Sequence, residues 1–448
     1  MLYYILPCLF KPWGIIEVMS NTHHKRPHVL LAGKAVRRLS RLRGGGSALP
    51  GLVIEKLDPR FLQRTLANLP HGVVVISGTN GKTTTTKMVV ALLEGQGLRV
   101  FTNPTGSNFK RGIISAVIEK SDLRSTLPYD IAVLELDEAH GALFVCDIAP
   151  RFCLLLNVMR DQLDRFGEID TTKNMLATIA MATREGVVLN GEDKRIRELT
   201  QRLDKKKLRY FGLSQKSRAF FPNDDELYDI SGPPSPPPSQ RNEDDVILED
   251  FNGQTAYFSF NKKRLPVKLR LSGAYNFFNA AAALALVRLI CGEKLNEKRL
   301  FDALSAVEPA FGRGEKLLVN GCSVELILVK NPSGFRLALG SYEPQNTDIM
   351  IAINDNYADG RDMSWLWDVS FSSLAHGVTM VSGIRAYDMA LRLQYDEIKI
   401  GHTEPNLSRA LKLFLHGSQK PKRIFCTYTA MLDLRKELKK YTTLERAL

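Results

Sequence analysis

Short apolar runs alternate along this chain with stretches whose apolar residues recur every three or four positions. From about Val53 the alternation is regular. Strand-like runs fall at Val73–Ser77, Ile131–Leu136, Phe152–Val158 and Val187–Asn190, with helix-period stretches at Thr84–Gln96, Ile113–Glu119 and Thr172–Ala182 between them. A run that is apolar at nearly every position is buried on both faces. This order therefore predicts an α/β fold with a mainly parallel sheet covered by helices on each side. Further strand-like pieces lie at Val246–Phe251, Thr255–Phe260 and Val267–Leu271, followed by an alanine-rich helix over Tyr275–Cys291. The composition shifts at Phe311-Gly312-Arg313-Gly314, which predicts a hinge. After it, strands at Val324–Val329, Ile349–Ile353, Val378–Val381 and Arg423–Cys426 predict a smaller, Rossmann-like α/β domain. The chain so divides into a basic lead-in (1–52), a central domain (53–314) and a C-terminal domain (315–448). Within the central domain, Asn223–Asp245 carries SGPPSPPPSQRNEDD, which cannot build a core and reads as an exposed loop.

Charge adds a preference for anionic partners. Lys and Arg number 61 against 48 Asp and Glu, a net charge of +13, and much of the excess sits in Lys25–Arg43 and Lys420–Arg446. Nucleotides, phosphorylated substrates, an acidic membrane face and nucleic acid all fit such charge. His23–Arg43 holds no Phe, Tyr or Trp, so the stacking platforms of a single-strand nucleic-acid binder are missing there. The six cysteines are scattered without a C-x-x-C pair, which fits reduced thiols in a cytosolic protein better than a disulfide framework or a zinc site. The apolar opening MLYYILPCLF is bounded by Pro7 and Lys11 and is too short to span a bilayer. Residues 1–18 read as an upstream start-codon extension, with a weak membrane-touching segment as the alternative.

The candidate chemistry begins at the end of the first strand. VVVISGTNGKTTTT runs from an apolar strand through Gly78, Thr79, Asn80, Gly81, Lys82, Thr83 and Thr84 into a helix. A glycine-rich turn at a helix N-terminus aims backbone N–H groups at one point, which suits phosphate oxygens. Lys82 is placed for the terminal phosphates and the Thr83 hydroxyl for Mg²⁺. The strand Ile131–Leu136 ends in Glu135, Asp137 and Glu138. A carboxylate at a strand tip beside a phosphate loop is where nucleotide-bound Mg²⁺ needs oxygen ligands. Strand alternation puts Glu135 and Asp137 on one face. A polar cluster follows the next strand: Asn157, Asp161, Asp164, Arg165, Glu168 and Asp170.

GTNGKTTTT, VLELDEA, NVMRDQLDRFGE, GAYNFFNAAAA and FGRGEK, in that order, resemble the central ATPase domain of the Mur ligase superfamily. Those enzymes phosphorylate a carboxylate with ATP and let an amine attack the acyl phosphate. Two departures narrow the resemblance. Ordinary members carry a UDP-sugar-binding domain before the loop, and here Gly78 comes too early for one. They also have Asp-His where this chain has Asp161-Gln162, and an acid before His-Asn-Pro where this chain has Ile327-Leu328-Val329-Lys330-Asn331-Pro332. No lysine stands at the usual place of the carbamylated one, Lys173 being too early. VKNPSGF, NDNYADGRDMSWLWD, SGIRAYDMALRLQY and TYTAMLDLR resemble the MurT branch, the ligase-like subunits of lipid II isoglutaminyl synthase.

The resemblance implies an ATP-dependent carbon–nitrogen ligase. It would amidate the α-carboxyl of D-isoglutamate in the lipid II stem peptide, using ammonia from a GatD-type glutaminase in a heteromeric complex. ATP and Mg²⁺ are the implied cofactors. The implied location is the cytoplasm, with a peripheral position at the inner membrane face as a variant. Asn279 and Arg313 match superfamily positions near the nucleotide, and Thr83 with Glu135 would hold Mg²⁺. Many members of the branch carry a four-cysteine zinc ribbon after a YFG strand. Tyr210-Phe211-Gly212 is followed here by a cysteine-free stretch, so no zinc is expected. In this branch an aspartate of the ligase subunit completes the glutaminase Cys–His pair in trans. Asp355, Asp359 and Asp362 are the candidates, with Asp359 favoured because Ala358-Asp359-Gly360 resembles a turn that presents a carboxylate outward. The rival readings are a folylpolyglutamate synthase-like ligase, a basic phosphate-loop protein that binds nucleic acid, and a non-catalytic scaffold for a glutaminase.

Overall fold

The computed structural model describes residues 27–42, 49–103, 109–122, 126–159, 169–218, 220–221, 242–271, 273–308, 313–340 and 346–442. Two sheets organise them. The first contains β1 (Val73–Ser77), β2 (Val100–Thr102), β3 (Ile131–Glu135), β4 (Phe152–Leu155), β5 (Gly186–Asn190), β6 (Leu208–Leu213), β7 (Val246–Asn252), β8 (Thr255–Phe260) and β9 (Lys263–Lys268). Their spatial order is β2-β3-β1-β4-β5-β6-β7-β8-β9. The neighbours from β2 to β7 are parallel, and β7, β8 and β9 form an antiparallel meander. The main helices of this part are α1 (Pro27–Leu42), α2 (Leu49–Leu57), α3 (Phe61–Ala67), α4 (Lys82–Gly95), α5 (Lys110–Lys120), α6 (Glu138–Asp147), α7 (Ile169–Ala182), α8 (Lys194–Glu198), α9 (Ala274–Cys291) and α10 (Glu297–Ala306), with one further turn of helix over Gln215–Arg218.

β1 shows why the sheet is covered twice. All five of its residues are buried. Val74 and Ile76 join an apolar cluster with Met88 and Val89 of α4, while Val73 and Val75 join a second cluster with Ile113 and Val117 of α5. Alternate side chains thus enter opposite cores, as the period of a strand requires. α9 is apolar and long enough to cross a membrane, yet Ala280–Leu284 is completely buried in the first core, so it is the fold's central packing helix. β8 alternates half-buried and buried positions and covers the core with one face.

The second sheet contains β10 (Arg313–Val319), β11 (Cys322–Leu328), β12 (Asp348–Ala352), β13 (Val378–Ser382), β14 (Ile400–Glu404) and β15 (Lys422–Cys426), in the order β10-β11-β15-β12-β13-β14. β10 and β11 form a hairpin and the remaining pairs are parallel. Its helices are α11 (Pro332–Gly340), α12 (Ala386–Tyr395), α13 (Leu407–His416) and α14 (Tyr428–Leu438).

The apolar pattern located most of the buried strands and missed three edge strands, β2, β10 and β14. The interior strand β6 was marked only by Tyr210-Phe211-Gly212 of the family resemblance. Every residue of β14 is half-buried or exposed, so no apolar signature marks it. β9 runs over Lys263–Lys268, earlier than the expected Val267–Leu271. It is the sheet's edge strand, where Pro266, lacking an N–H, is tolerated. Within its described residues the basic lead-in is helical and docked. Lys34 Nζ donates to Ser121 O at 2.6 Å, Arg37 to Ser115 O at 3.1 Å, and Gly51 N to Ser115 Oγ at 2.9 Å. Residues 1–18 and most of the Pro/Ser-rich loop lie outside the described residues.

Candidate active site

The phosphate loop leaves β1 and enters α4 through two left-handed glycines. Gly78 has φ +134° and Gly81 has φ +87°. A Cβ on Gly81 would stand 2.5 Å from Asn279 Oδ1, so only glycine lets α9 bring Asn279 against the loop. Asn157, just beyond β4, braces the other side. Its Oδ1 accepts from Asn80 N at 2.8 Å, its Nδ2 donates to Asn80 O at 3.1 Å, and its backbone O accepts from Thr79 N at 3.0 Å.

Lys82 is buried beneath this loop. Its ammonium donates to Gly78 O and, at 3.2 Å, to Thr79 O, and lies 3.8 Å from the Glu138 carboxylate. Thr83 Oγ1 donates to Glu135 Oε1 at 2.8 Å, and both residues are buried. Asn103 satisfies the Glu135 backbone in both directions, at 2.9 and 3.0 Å, which leaves the carboxylate aimed at Thr83. Among the described residues no group of three or more His, Cys, Asp or Glu surrounds one point. The Thr83–Glu135 pair is thus a partial oxygen shell of the kind that Mg²⁺ completes with phosphate and water.

Asp137 does not share a strand face with Glu135. β3 stops at Glu135, and Asp137 caps α6, its Oδ1 accepting from His140 N at 2.7 Å. Burial pushes its carboxyl up, but the hydrogen bonds and charge of His140 and the Lys82 charge hold it below the ordinary value. Asp161, Asp164, Arg165 and Glu168 lie outside the described residues. Asp170 is exposed and pairs with Lys173, which also binds Glu198 at 3.0 Å. These partners, the Glu198 hydrogen bond first, raise the Lys173 pKa and keep that amine protonated.

A cavity of about 170 Å³ opens beside the loop. Asn80, Gly81, Thr84 and Asn279 line one end, and Leu213, Phe221, Tyr275 and Phe278 line another. Phe278 packs against Phe211 and Phe221 with ring centroids 5.0 and 5.3 Å apart. A polar end beside the loop and an aromatic end suit a ligand with a charged tail and a planar ring. Asp193, also in the lining, accepts from Val158 N at 2.7 Å, from Arg195 N at 2.9 Å and from Ile196 N at 3.1 Å. Burial raises its pKa against these N–H groups. Ile327, Leu328 and Lys330 close the cavity from the second sheet.

The three C-terminal aspartates differ in environment. Asp359 is buried, 4% exposed. Its carboxylate accepts from Thr429 N at 2.7 Å, Thr429 Oγ1 at 2.5 Å and Asn356 N at 3.1 Å. The expected outward turn is therefore corrected: this carboxylate faces inward because Thr429 and Asn356 supply its donors, and burial raises its pKa. Asp355 is half-buried, 3.7 Å from the Arg385 guanidinium. Asp362 is exposed, with Oδ1 accepting from Ser364 N at 2.8 Å. The hydrogen bonds from Ser364 hold its carboxyl below the ordinary value.

The Mur ligase middle domain family matches residues 76–287, and the MurT ligase C-terminal family matches residues 328–431. The lipid II isoglutaminyl synthase (glutamine-hydrolyzing) subunit MurT of Streptococcus pneumoniae is 32% identical, over 91% of this chain and 96% of its own length. The chain belongs to the MurT family. The same-named subunit of Staphylococcus aureus is 30% identical over 82% of this chain and 87% of its own. Among solved structures, the MurF ligase of Thermotoga maritima in complex with ADP aligns with a TM-score of 0.63 at 18% identity, over 85% of this chain and 84% of that one. Folylpolyglutamate synthase of the same organism aligns with a TM-score of 0.56 at 16% identity, over 85% and 92%. At these identities the likeness is one of fold, and it agrees with the α/β Mur ligase architecture expected from the sequence.

In this MurT-family chain the middle-domain match contains the phosphate loop, Glu135 and Asn279, and the C-terminal match contains Lys330, Asn331 and the three aspartates. Arg313 falls between the two matches, and its backbone opens β10. Motif reading did not single out Asn103, Asp193 or the aromatic lining. The end of β5 was a detectable signal for Asp193, because ligands gather at the carboxyl ends of parallel strands. Phe221 had no such signal.

Proposed function

We propose that this chain is the ligase subunit of a lipid II isoglutaminyl synthase, amidating the α-carboxyl of D-isoglutamate in the lipid II stem peptide. The observation that carries this reading is the meeting of Lys82 and Thr83, at the start of α4 after β1, with Glu135 at the end of the adjacent β3, beside a cavity to which both sheets contribute. Family membership and the names of the relatives supply the substrate and the role as a subunit.

The chemistry is two displacements. A substrate carboxylate oxygen attacks the γ-phosphorus of ATP, the bond to the β-phosphate oxygen breaks, and ADP leaves an acyl phosphate. Ammonia then attacks the carbonyl carbon, inorganic phosphate departs and a proton is released. Little covalent work falls to the protein, which positions the groups and stabilises charge. The N–H groups at the start of α4 and the Lys82 ammonium hold the terminal phosphates, those of Thr79 and Asn80 being taken by Asn157, and Asn279 packs against the loop at Gly81. Thr83 and Glu135 are the residues that would hold Mg²⁺, whose charge would offset that of the phosphates. The aromatic end of the cavity receives the adenine ring and excludes water from the base.

Ammonia comes from a GatD-type glutaminase bound to this chain at the cytoplasmic face of the membrane. Asp362 is the acid that best suits an in-trans triad, because it is exposed and ionised, while Asp359 is spent inside the fold and Asp355 sits beside Arg385. Such an acid orients the partner histidine and stabilises its cation.

The test is reconstitution with MgATP, a lipid II analogue and ammonium. Amidated product and ADP should form in equal amounts and only with all three present. ATP consumption that ignores the lipid II analogue would overturn the assignment.

A further inference from the structure

Lys330 and Asn331 reach the phosphate loop from the other sheet. They occupy the short connection between β11 and α11, at the carboxyl end of a strand. Lys330 Nζ donates to Thr79 O at 3.2 Å, and Lys82 Nζ donates to the same oxygen at 3.2 Å. Asn80 and Asn331 exchange amide hydrogen bonds in both directions, at 3.2 and 3.1 Å. Asn331 Oδ1 also accepts from Gly334 N at 2.7 Å, so the residue that grips the loop is tied to the first turn of α11.

Two ammonium groups sharing one carbonyl oxygen repel each other in a site partly shielded from water. Glu138, 3.8 Å from Lys82, offsets part of that charge. A polyanion lying against the loop would turn the repulsion into attraction for both cations.

We infer that Lys330 is a second phosphate-binding cation, carried by the C-terminal domain to the terminal phosphates of a nucleoside triphosphate and held in register by the Asn80–Asn331 pair. The inference rests on reading Gly78–Thr83 as the ATP phosphate loop. It makes triphosphate binding and contact between the two sheets one event, since a C-terminal domain that swings away takes Lys330 with it.

The experiment compares binding of MgATP, MgADP and adenosine to the full chain and to Lys330→Met, Lys330→Arg and Lys82→Met, with thermal midpoints recorded for each. Lys330→Met should weaken MgATP at least tenfold, weaken MgADP less and leave adenosine unchanged, and Lys330→Arg should recover most of the loss. The inference is overturned if Lys330→Met binds MgATP as the unaltered chain does. It is overturned equally if MgATP and adenosine weaken by the same factor, since Lys330 is then only a packing contact. The Lys82→Met control separates the two readings. If it abolishes MgATP binding while Lys330→Met does not, only the second cation is wrong. If neither substitution matters, the phosphate-loop reading fails too. Should Lys330→Met lower the thermal midpoint, the MgATP-to-adenosine ratio in Lys330→Arg decides.

Discussion

The carboxyl ends of the two parallel sheets obey one structural rule and are used in opposite ways. At the ends of β1 and β3, asparagines satisfy the backbone: Asn157 braces the loop and Asn103 clamps Glu135. The chemistry-bearing side chains are left to face their own partners, Thr83 with Glu135 and Lys82 with Glu138. Beyond β12 the acids do the bracing themselves. Asp359 binds Thr429 and Asn356, while Asn354 accepts from Ile384 N at 3.0 Å and donates to Thr429. A carboxylate in a strand-end motif is thus available for a ligand or partner only when other groups supply the local backbone's hydrogen bonds.

The largest expected effect tests the end that consumes its acids. In a reconstituted complex with the proposed glutaminase, Asp362→Asn should cut glutamine-driven amidation on the order of a thousandfold or more, as loss of an orienting acid does. Ammonium-driven amidation should persist. Assaying both nitrogen sources checks this, and equal loss of both would remove Asp362 from the glutaminase triad. Next comes the other end: Lys82→Ala should lower ADP formation about 100-fold or more with either nitrogen source, with the circular dichroism spectrum unchanged.

A smaller effect separates structure from catalysis at the second sheet. Asp359→Asn keeps the shape but removes the charge that Thr429 and Asn356 serve, and should cost about 1–3 kcal/mol in denaturant unfolding. Both activities should then fall together. Because burial raises the Asp359 pKa, the folded state holds this proton more tightly than the unfolded chain. Its titration contributes stability that is complete below the unfolded pKa and is lost as pH rises through the folded one.

The smallest effect lies at the opposite, amino end of β3. The Arg99 side chain, by its hydrogen bond first, then its backbone N–H, holds Asp130 down to about 2. That contribution is present above the ordinary carboxylate pKa and lost as pH falls toward 2. Arg99 is exposed and Asp130 half-buried at the surface, so Asp130→Asn should shift the thermal midpoint by no more than about 2 °C at neutral pH. Activity should be unchanged.

The phosphate loop was legible because its chemistry is local. Strand, glycine turn, Lys82 and Thr83 are contiguous, and each needs only its neighbours to take its place. Glu135 was legible as the acid that closes an apolar run. Asp137 misled because a strand end and a helix cap look alike in sequence, and the chain turned one residue earlier than alternation implied. Asp359 misled for the same reason at longer range: its partner Thr429 is remote in sequence and invisible to a turn motif. The docking of α1 and α2 on α5 was likewise hidden, since basic residues such as Lys34 and Arg37 find their partners, Ser121 O and Glu119, far along the chain.

By itself the sequence determined the class of fold, the buried strands, the phosphate loop and the family, because apolar periodicity and contiguous motifs act over a few residues. The tertiary structure alone decided which carboxylates are free and which are spent, how Asn279 and the aromatic cavity meet the loop, and that Lys330 and Asn331 touch it from the second sheet. Those outcomes depend on hydrogen bonds and charge pairs between residues brought together only when the two sheets pack. A buried polar group takes whichever partner the fold delivers, since leaving it unpaired costs more than any local preference can return.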